Sequence, residues 1–268
     1  MSRQNQTFLE QHNDEPDGQD SPGHRCLACI GRAIARRLAA DGALVAVHYG
    51  NNETAARETA QLIEKDGGQA FVVRAELGVP GDVDTLFAAL EAGLGDGTGQ
   101  VRLDILVNNA AITAETIETI TPEAFDRLIA INTKAPLFII QRTLPLLNDG
   151  GRIINLTTAA TRIAMPEQPY AMSKAAVEVL SRSLAQTLGA RGITVNAVAP
   201  GPTVTDMNPW MIDNPQVQQM VGSGNAIPPV GQPADIAEVV AFLASEAGGW
   251  VTGQVIDASG GCFLGPRV

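Results

Sequence analysis

From residue 30 onward, short apolar runs alternate with stretches in which apolar residues return every three or four positions. Gly31–Ala40 has the helical spacing, with Ala33, Ile34, Leu38 and Ala39 able to face a core and Asp41-Gly42 as a stop. Ala43–His48 reads as a strand, Glu53–Asp66 as a helix, Gln69–Val73 as a strand and Asp82–Ala92 as a helix. The glycine-rich stretch Gly93–Gln100 reads as a surface loop before the strand Leu103–Val107. Thr121-Pro122 pairs an N-cap with a first-turn proline for a helix carrying Phe125, Leu128 and Ile129. Strand Gly151–Leu156, helix Tyr170–Leu188, strand Ile193–Ala197, helix Pro233–Ser245 and strand Gln254–Asp257 complete the series.

Short strands separated by helices of about ten residues or more predict a parallel sheet covered on both faces. The fold class expected is therefore α/β: a single doubly wound, mostly parallel sheet flanked by helices, in one domain over residues 25–268. Gly201–Gly231, rich in Pro, Asn and Met, is longer than a simple connection and reads either as a substrate-side lid or as a surface excursion. Met1–His24 is different. It carries Glu10, Asp14, Glu15, Asp17 and Asp20 against Arg3, has no sustained period, and is expected to be a disordered acidic tail.

Composition narrows the function. The 268 residues are 45% hydrophobic, enough for a sizeable core. Lys and Arg number 18 against 29 Asp and Glu, a net charge of −11 that disfavours nucleic acid and acidic lipid surfaces as partners. No apolar run approaches membrane-spanning length, no signal-peptide pattern opens the chain, and three cysteines make no disulfide framework. A cytoplasmic protein is the expectation. Aromatic residues are 4%, which argues against an aromatic-lined binding module.

Candidate chemistry gathers where strands end. Tyr170 and Lys174 lie four apart at the start of a helix and so share a face. An ammonium beside a phenol favours phenolate and suits Tyr170 to proton transfer near neutral pH. Thr157 and Thr158 close the preceding strand, at the carboxyl end where open α/β sheets bind ligands. Asn108-Asn109-Ala110-Ala111 and Pro200-Gly201 follow two other strands directly. Asn132 interrupts an apolar helical run and needs a partner for its amide. His24, Cys26 and Cys29 suggest part of a zinc site, but no convincing fourth ligand accompanies them and no metal is expected.

Taken together in order, LDILVNNAA at 103–111, INTKAP around Asn132, GRIINLTTAATR from Gly151, the Tyr170–Lys174 segment, NAVAPG at 196–201 and VTGQVIDASGG at 251–261 resemble the short-chain dehydrogenase/reductase superfamily. Within it the chain is similar to the 3-oxoacyl-carrier-protein reductases and their relatives. The resemblance implies an NAD(P)-dependent oxidoreductase that interconverts a carbonyl and a secondary alcohol by direct hydride transfer. In that reading Tyr170 exchanges the proton and Lys174 holds the nicotinamide ribose and lowers the tyrosine's pKa. Asn132 anchors a proton-relay water, and Thr158, rather than Thr157 at the commoner spacing, steadies the substrate oxygen. Cofactor contacts are implied for Ile30, Gly31, His48, Tyr49, Glu76, Leu77, Asn109, Ala110, Ala111, Tyr170, Lys174, Pro200, Gly201, Thr203 and Thr205. After the strand Ala43–His48 no carboxylate appears until Glu53, which leans toward NADP while leaving NAD open. Relatives of this type form tetramers or dimers, so a homo-oligomer is expected.

The resemblance breaks at the start. The family opens with an apolar strand and a Thr-Gly-x-x-x-Gly-x-Gly loop that cradles the pyrophosphate. Counting back from Gly31, the positions of the Thr and of the first two glycines hold His24, Arg25 and Cys29. Gly18–Gly23 is too polar for a buried strand, so the first central strand is expected to be missing or degenerate. Three explanations stand: a misread or wrongly joined start on a genuine reductase, a divergent but working loop, or a structural or regulatory protein that has lost its cofactor.

Overall fold

The computed structural model describes residues 6–10, 29–99 and 101–265. Seven strands form one sheet: β1 (Gln6–Glu10), β2 (Leu44–Tyr49), β3 (Gln69–Arg74), β4 (Leu103–Asn108), β5 (Leu147–Leu156), β6 (Thr194–Pro200) and β7 (Val255–Ala258). They pair in parallel throughout, in the order β3-β2-β1-β4-β5-β6-β7. The order turns back between β1 and β4, and a crevice opens there at the carboxyl ends.

Helices cover both faces because the strands are apolar on both. On one side, α3 (Asp82–Thr98), α4 (Pro122–Ile129), α5 (Ala135–Thr143) and α6 (Gln168–Leu188) pack Phe87, Leu90, Leu128, Ile139 and Leu188 against Leu106 and Ile153. On the other, α1 (Ile30–Ala40), α2 (Glu53–Lys65) and α8 (Pro233–Ala244) pack Ile34, Leu38, Ile63 and Val240 against Ile105, Val107 and Ile154. The expected alternation and single sheet are what the structure has.

Two expectations need correction. The first central strand is present: it is residues 6–10, within the stretch read as a disordered tail. Gln6–Glu10 lies between β2 and β4, with Phe8 paired to Ala46 and Leu106. Phe8 and Leu9 are both fully buried, one in each core. Each contributes roughly 1.5–3 kcal/mol by leaving water. The strand escaped a reading for apolar runs because only two of its five residues are strongly apolar. Its other buried positions show strain of a chemical kind: the Gln6 Oε1 and Thr7 Oγ1 atoms have no hydrogen-bond partner among the described residues. Thr7→Val, which removes the orphaned hydroxyl at equal volume, is expected to raise the unfolding free energy by about 1 kcal/mol. A urea titration showing equal or lower stability would contradict this placement of Thr7. Residues 11–28, with His24, Arg25 and Cys26, lie outside the described residues.

The second correction concerns Gly93–Gln100, which is helix rather than loop as far as Thr98. Gly93 is there for contact. A Cβ on it would lie 2.2 Å from the Phe71 ring, so glycine lets α3 lie close on β3. Between α4 and α5 the helix widens into a π turn over Ala130–Lys134, which carries Asn132.

The segment 201–231 folds on a small core of its own, Val204, Met211 and Val230, and contains the helix α7 (Pro215–Gly222). Parallel bridging of Thr203 to Gly231 closes its two ends.

Candidate active site

Strand β5 ends in two threonines with different fates. Thr157 is tied into the sheet, its N–H and hydroxyl both donating to the Val198 carbonyl at 2.8 and 3.2 Å. Thr158 is extended and its hydroxyl accepts from the Ala160 N–H at 3.2 Å. That hydroxyl also lies near enough to the Tyr170 phenol to draw its pKa down. Of the two threonines, Thr158 therefore meets the tyrosine.

Tyr170 sits in the first turn of α6, and Lys174 one turn further on. The lysine is 3% exposed and its Nζ donates to the Leu156 carbonyl at 2.9 Å. Burial pushes the Tyr170 phenol up to about 12, and the Thr158 hydroxyl draws it partly back. The expected lowered pKa is thus corrected: desolvation of the ring is the larger influence, and Tyr170 holds its proton at neutral pH.

Asn132 braces this turn from behind. Its Oδ1 accepts from the Ile112 N–H and its Nδ2 donates to the Ile112 carbonyl, both at 2.9 Å. Nδ2 also donates to Ser173 Oγ at 3.1 Å, and Ser173 donates to the Tyr170 carbonyl at 2.7 Å. The amide that was costly in a bare helix is fully partnered. Asn108 does comparable work between strands: its Nδ2 donates to Asn155 Oδ1 at 2.6 Å, and Asn155 donates to Ser181 Oγ at 2.8 Å.

A cavity of about 980 Å³ runs along the carboxyl ends of the strands. Tyr170, Lys174 and Thr158 line it. Of the expected cofactor contacts, Ile30, Tyr49, Asn109, Ala111, Pro200, Gly201, Thr203 and Thr205 line it too. Six expected residues do not. Gly31 and Ala110 are buried just behind the wall, Leu77 belongs to the core, Glu76 is exposed elsewhere, and Asn132 is sealed inside.

His48 is the sixth. It is 0% exposed, with Nε2 at 2.8 Å from the Ala75 carbonyl and Nδ1 unpartnered among the described residues. Burial lowers its pKa from 6.5 to about 4. The unfolded chain therefore takes up a proton that the folded chain refuses. Stability is fully present above pH 6.5 and falls as pH drops from there toward 4. Between pH 7 and 5 this group alone is expected to remove about 2 kcal/mol. His48→Gln, measured by urea unfolding at both pH values, should lack that part of the loss; an unchanged loss would contradict a buried neutral imidazole.

Gly201 is needed for packing: a Cβ there would meet the Ser259 Cβ at 2.6 Å. Sequence reasoning missed Asn52, Thr113 and Phe263, all on the wall. Phe263 follows the last strand and carries no motif; only the fold brings it back over the cavity. The segment 201–231 supplies Met207, Trp210, Met211 and Met220 to the lining, while its Ile227 is 72% exposed and outside it.

The cavity suits a dinucleotide. The first turn of α1 enters it at Cys29 and Ile30, and a helix N-terminus at a cavity suits a phosphate. Tyr49, Asn52, Ala55, Lys174, Pro200, Gly201 and Thr203 line it together with Tyr170. Among the described residues no group of His, Cys, Asp and Glu is placed to hold a metal, and no helix is long and apolar enough to cross a membrane.

Comparison with known proteins agrees with this geometry. The family described as enoyl-(acyl carrier protein) reductase matches residues 27–262. The crystal structure of the angucycline C-6 ketoreductase LanV with bound NADP is 49% identical, with a TM-score of 0.87 over 97% of this chain and 96% of that one. The reductase LugOII, described as promiscuous and as catalysing keto-reduction at C1 during lugdunomycin biosynthesis, is 46% identical, with a TM-score of 0.88 over 97% and 98%. Tetrahydroxynaphthalene reductase of Pyricularia oryzae is 35% identical over 88% of this chain and 86% of its own.

The fold and the cavity are those of a reductase of the Rossmann-like class. The chain belongs to the short-chain dehydrogenase/reductase superfamily, and it is an oxidoreductase of that hydride-transferring kind.

Proposed function

We propose that this chain is an NADP-dependent ketoreductase whose substrate is a fused-ring aromatic ketone, with Tyr170 as the proton donor. The observation that carries the reading is one cavity lined by Thr158, Tyr170 and Lys174 together with Met207, Trp210, Met220 and Phe263. LanV is described as an angucycline C-6 ketoreductase with bound NADP, and LugOII as catalysing keto-reduction at C1 during lugdunomycin biosynthesis; both support the choice of substrate, and LanV that of the cofactor.

The N-terminal turn of α1, Tyr49, Asn109, Lys174 and Thr203 would hold the cofactor. When bound, NADPH supplies the hydride that the protein's own side chains lack. The rest is done by the chain. Thr158 and Tyr170 offer two hydroxyls to one carbonyl oxygen, fixing its direction. Tyr170, protonated at neutral pH, donates to that oxygen as negative charge develops. Lys174, in the same cavity, places a positive charge near the phenolate that remains. Asn132 positions Tyr170 through Ser173.

The same proposal includes a cytoplasmic location and a homo-oligomer. The exposed Leu137 and Phe138 on α5 and Met172 and Val179 on α6 are apolar surface suited to a second copy. The substrate reading is tested by NADPH consumption with a tricyclic quinone-ketone and with a 3-oxoacyl thioester. A kcat/KM about tenfold or more in favour of the ring substrate is expected, the scale of an apolar pocket's discrimination; preference for the thioester would overturn it.

A further inference from the structure

Four residues beyond Thr158, a single guanidinium joins the catalytic loop to the end of the chain. Arg162 NH2 lies 2.5 Å from Asp257 Oδ2, 3.1 Å from Ser259 Oγ and 2.8 Å from the Cys262 carbonyl. Ser259 Oγ in turn accepts from the Cys262 N–H at 3.0 Å, so the turn 259–262 is pinned at both ends. The outer side of that turn is paired with the end of the lid. Ile227 N–H donates to Gly260, Ala226 N–H to Gly261, and Phe263 N–H to Gly224, at 2.8, 3.1 and 3.2 Å. The peptide that Arg162 holds leads straight into Phe263, which lines the cavity beside Gly224.

We propose that Arg162 is a positioning residue: it fixes the turn Ser259–Cys262, and through it Phe263 and the end of the lid, as the far wall of the substrate cavity relative to Thr158. This rests on the ketoreductase reading for its substrate and on geometry alone for the latch. Arg162 does not line the cavity. Its three acceptors come from β7 and the residues after it. All three acceptors gather on the one Nη2, whose two hydrogens they share; a lysine keeps the charge there but not the rigid plane that aims it.

Two readouts test it on the full-length chain. The first needs no turnover. Cys262 is 1% exposed, so its alkylation by iodoacetamide, located by peptide mass spectrometry, reports opening of the turn. Arg162→Met is expected to speed labelling of Cys262 by about tenfold or more, and Arg162→Lys by less, with both variants retaining the wild-type circular dichroism spectrum. The second is kinetic. KM for the ring ketone should rise about tenfold in Arg162→Met with kcat within about threefold, KM for a small cyclic ketone should stay put, and Arg162→Lys should recover part of the loss. Unchanged labelling of Cys262 overturns the latch whatever the enzyme reduces. Faster labelling with an equal change for both ketones, or a fall in kcat alone, overturns its role in shaping the substrate wall. Faster labelling in a protein that reduces neither ketone upholds the latch and counts against the ketoreductase reading instead.

Discussion

Tyr170→Phe is expected to lower kcat by about a hundredfold to ten-thousandfold while leaving NADPH affinity within about twofold. The substitution removes one oxygen and keeps the ring, so the packing of α6 on the sheet survives. What goes is the phenol oxygen, the proton donor, whose pKa Thr158 draws down. Thr158→Val should cost less, because one of two hydroxyl contacts to the carbonyl oxygen remains. The raised pKa adds a pH signature. With the phenol held near 12, the acid form is present throughout the neutral range, so ketone reduction should be insensitive to pH there. Alcohol oxidation needs phenolate and should rise with pH. Steady-state kinetics in both directions checks this. A Tyr170→Phe enzyme with near-normal kcat would remove the tyrosine from the mechanism.

The second large effect falls on stability. Asn132→Ala leaves the buried N–H and carbonyl of Ile112 without partners and strips a hydrogen bond from Ser173. A buried polar group stranded in this way costs about 1–3 kcal/mol, so a total loss of about 3 kcal/mol or more is expected, together with a lower kcat as the Tyr170 turn loses its brace. Asn132→Asp keeps the shape but loses the Nδ2 donor and buries a charge, and should be no better. Urea unfolding monitored by circular dichroism decides it: a midpoint within experimental error of the wild type would mean that Asn132 is not the brace described.

The legible part of the molecule was the part with periodic apolar residues. Strands β2 to β7 and helices α1 to α6 and α8 announce themselves by alternation, and the hydroxyl, amide and lysine groups at strand ends mark the crevice that the sheet topology creates. β1 was hidden because its environment does the work that its sequence does not: Phe8 and Leu9 suffice to fill one site in each core, while Gln6 and Thr7 are buried with unpartnered atoms. The glycines of α3 suggested a loop; the Phe71 ring explains Gly93, while Gly95 and Gly97 have room for a Cβ. His48 stood next to the right residues in sequence, but on a strand neighbours point to opposite faces; Tyr49 lines the cavity and His48 turns to Ala75. Phe263 and Arg162 depend on contacts about a hundred residues apart in the chain, which no local pattern encodes.

The central claim is that the cavity at the carboxyl ends of β1 and β4 takes NADP although Cys29 and Arg25 stand where the family has glycine. Titrating the purified chain with NADPH and then NADH, following nicotinamide fluorescence and thermal unfolding together, tests it most directly. NADPH should bind the more tightly of the two. At about a hundredfold over its Kd it should add about 2.7 kcal/mol, a rise of roughly 5–10 °C in Tm. A folded chain that shows neither fluorescence change nor stabilisation at millimolar NADPH would contradict the claim, and would favour a structural or regulatory role for this polypeptide.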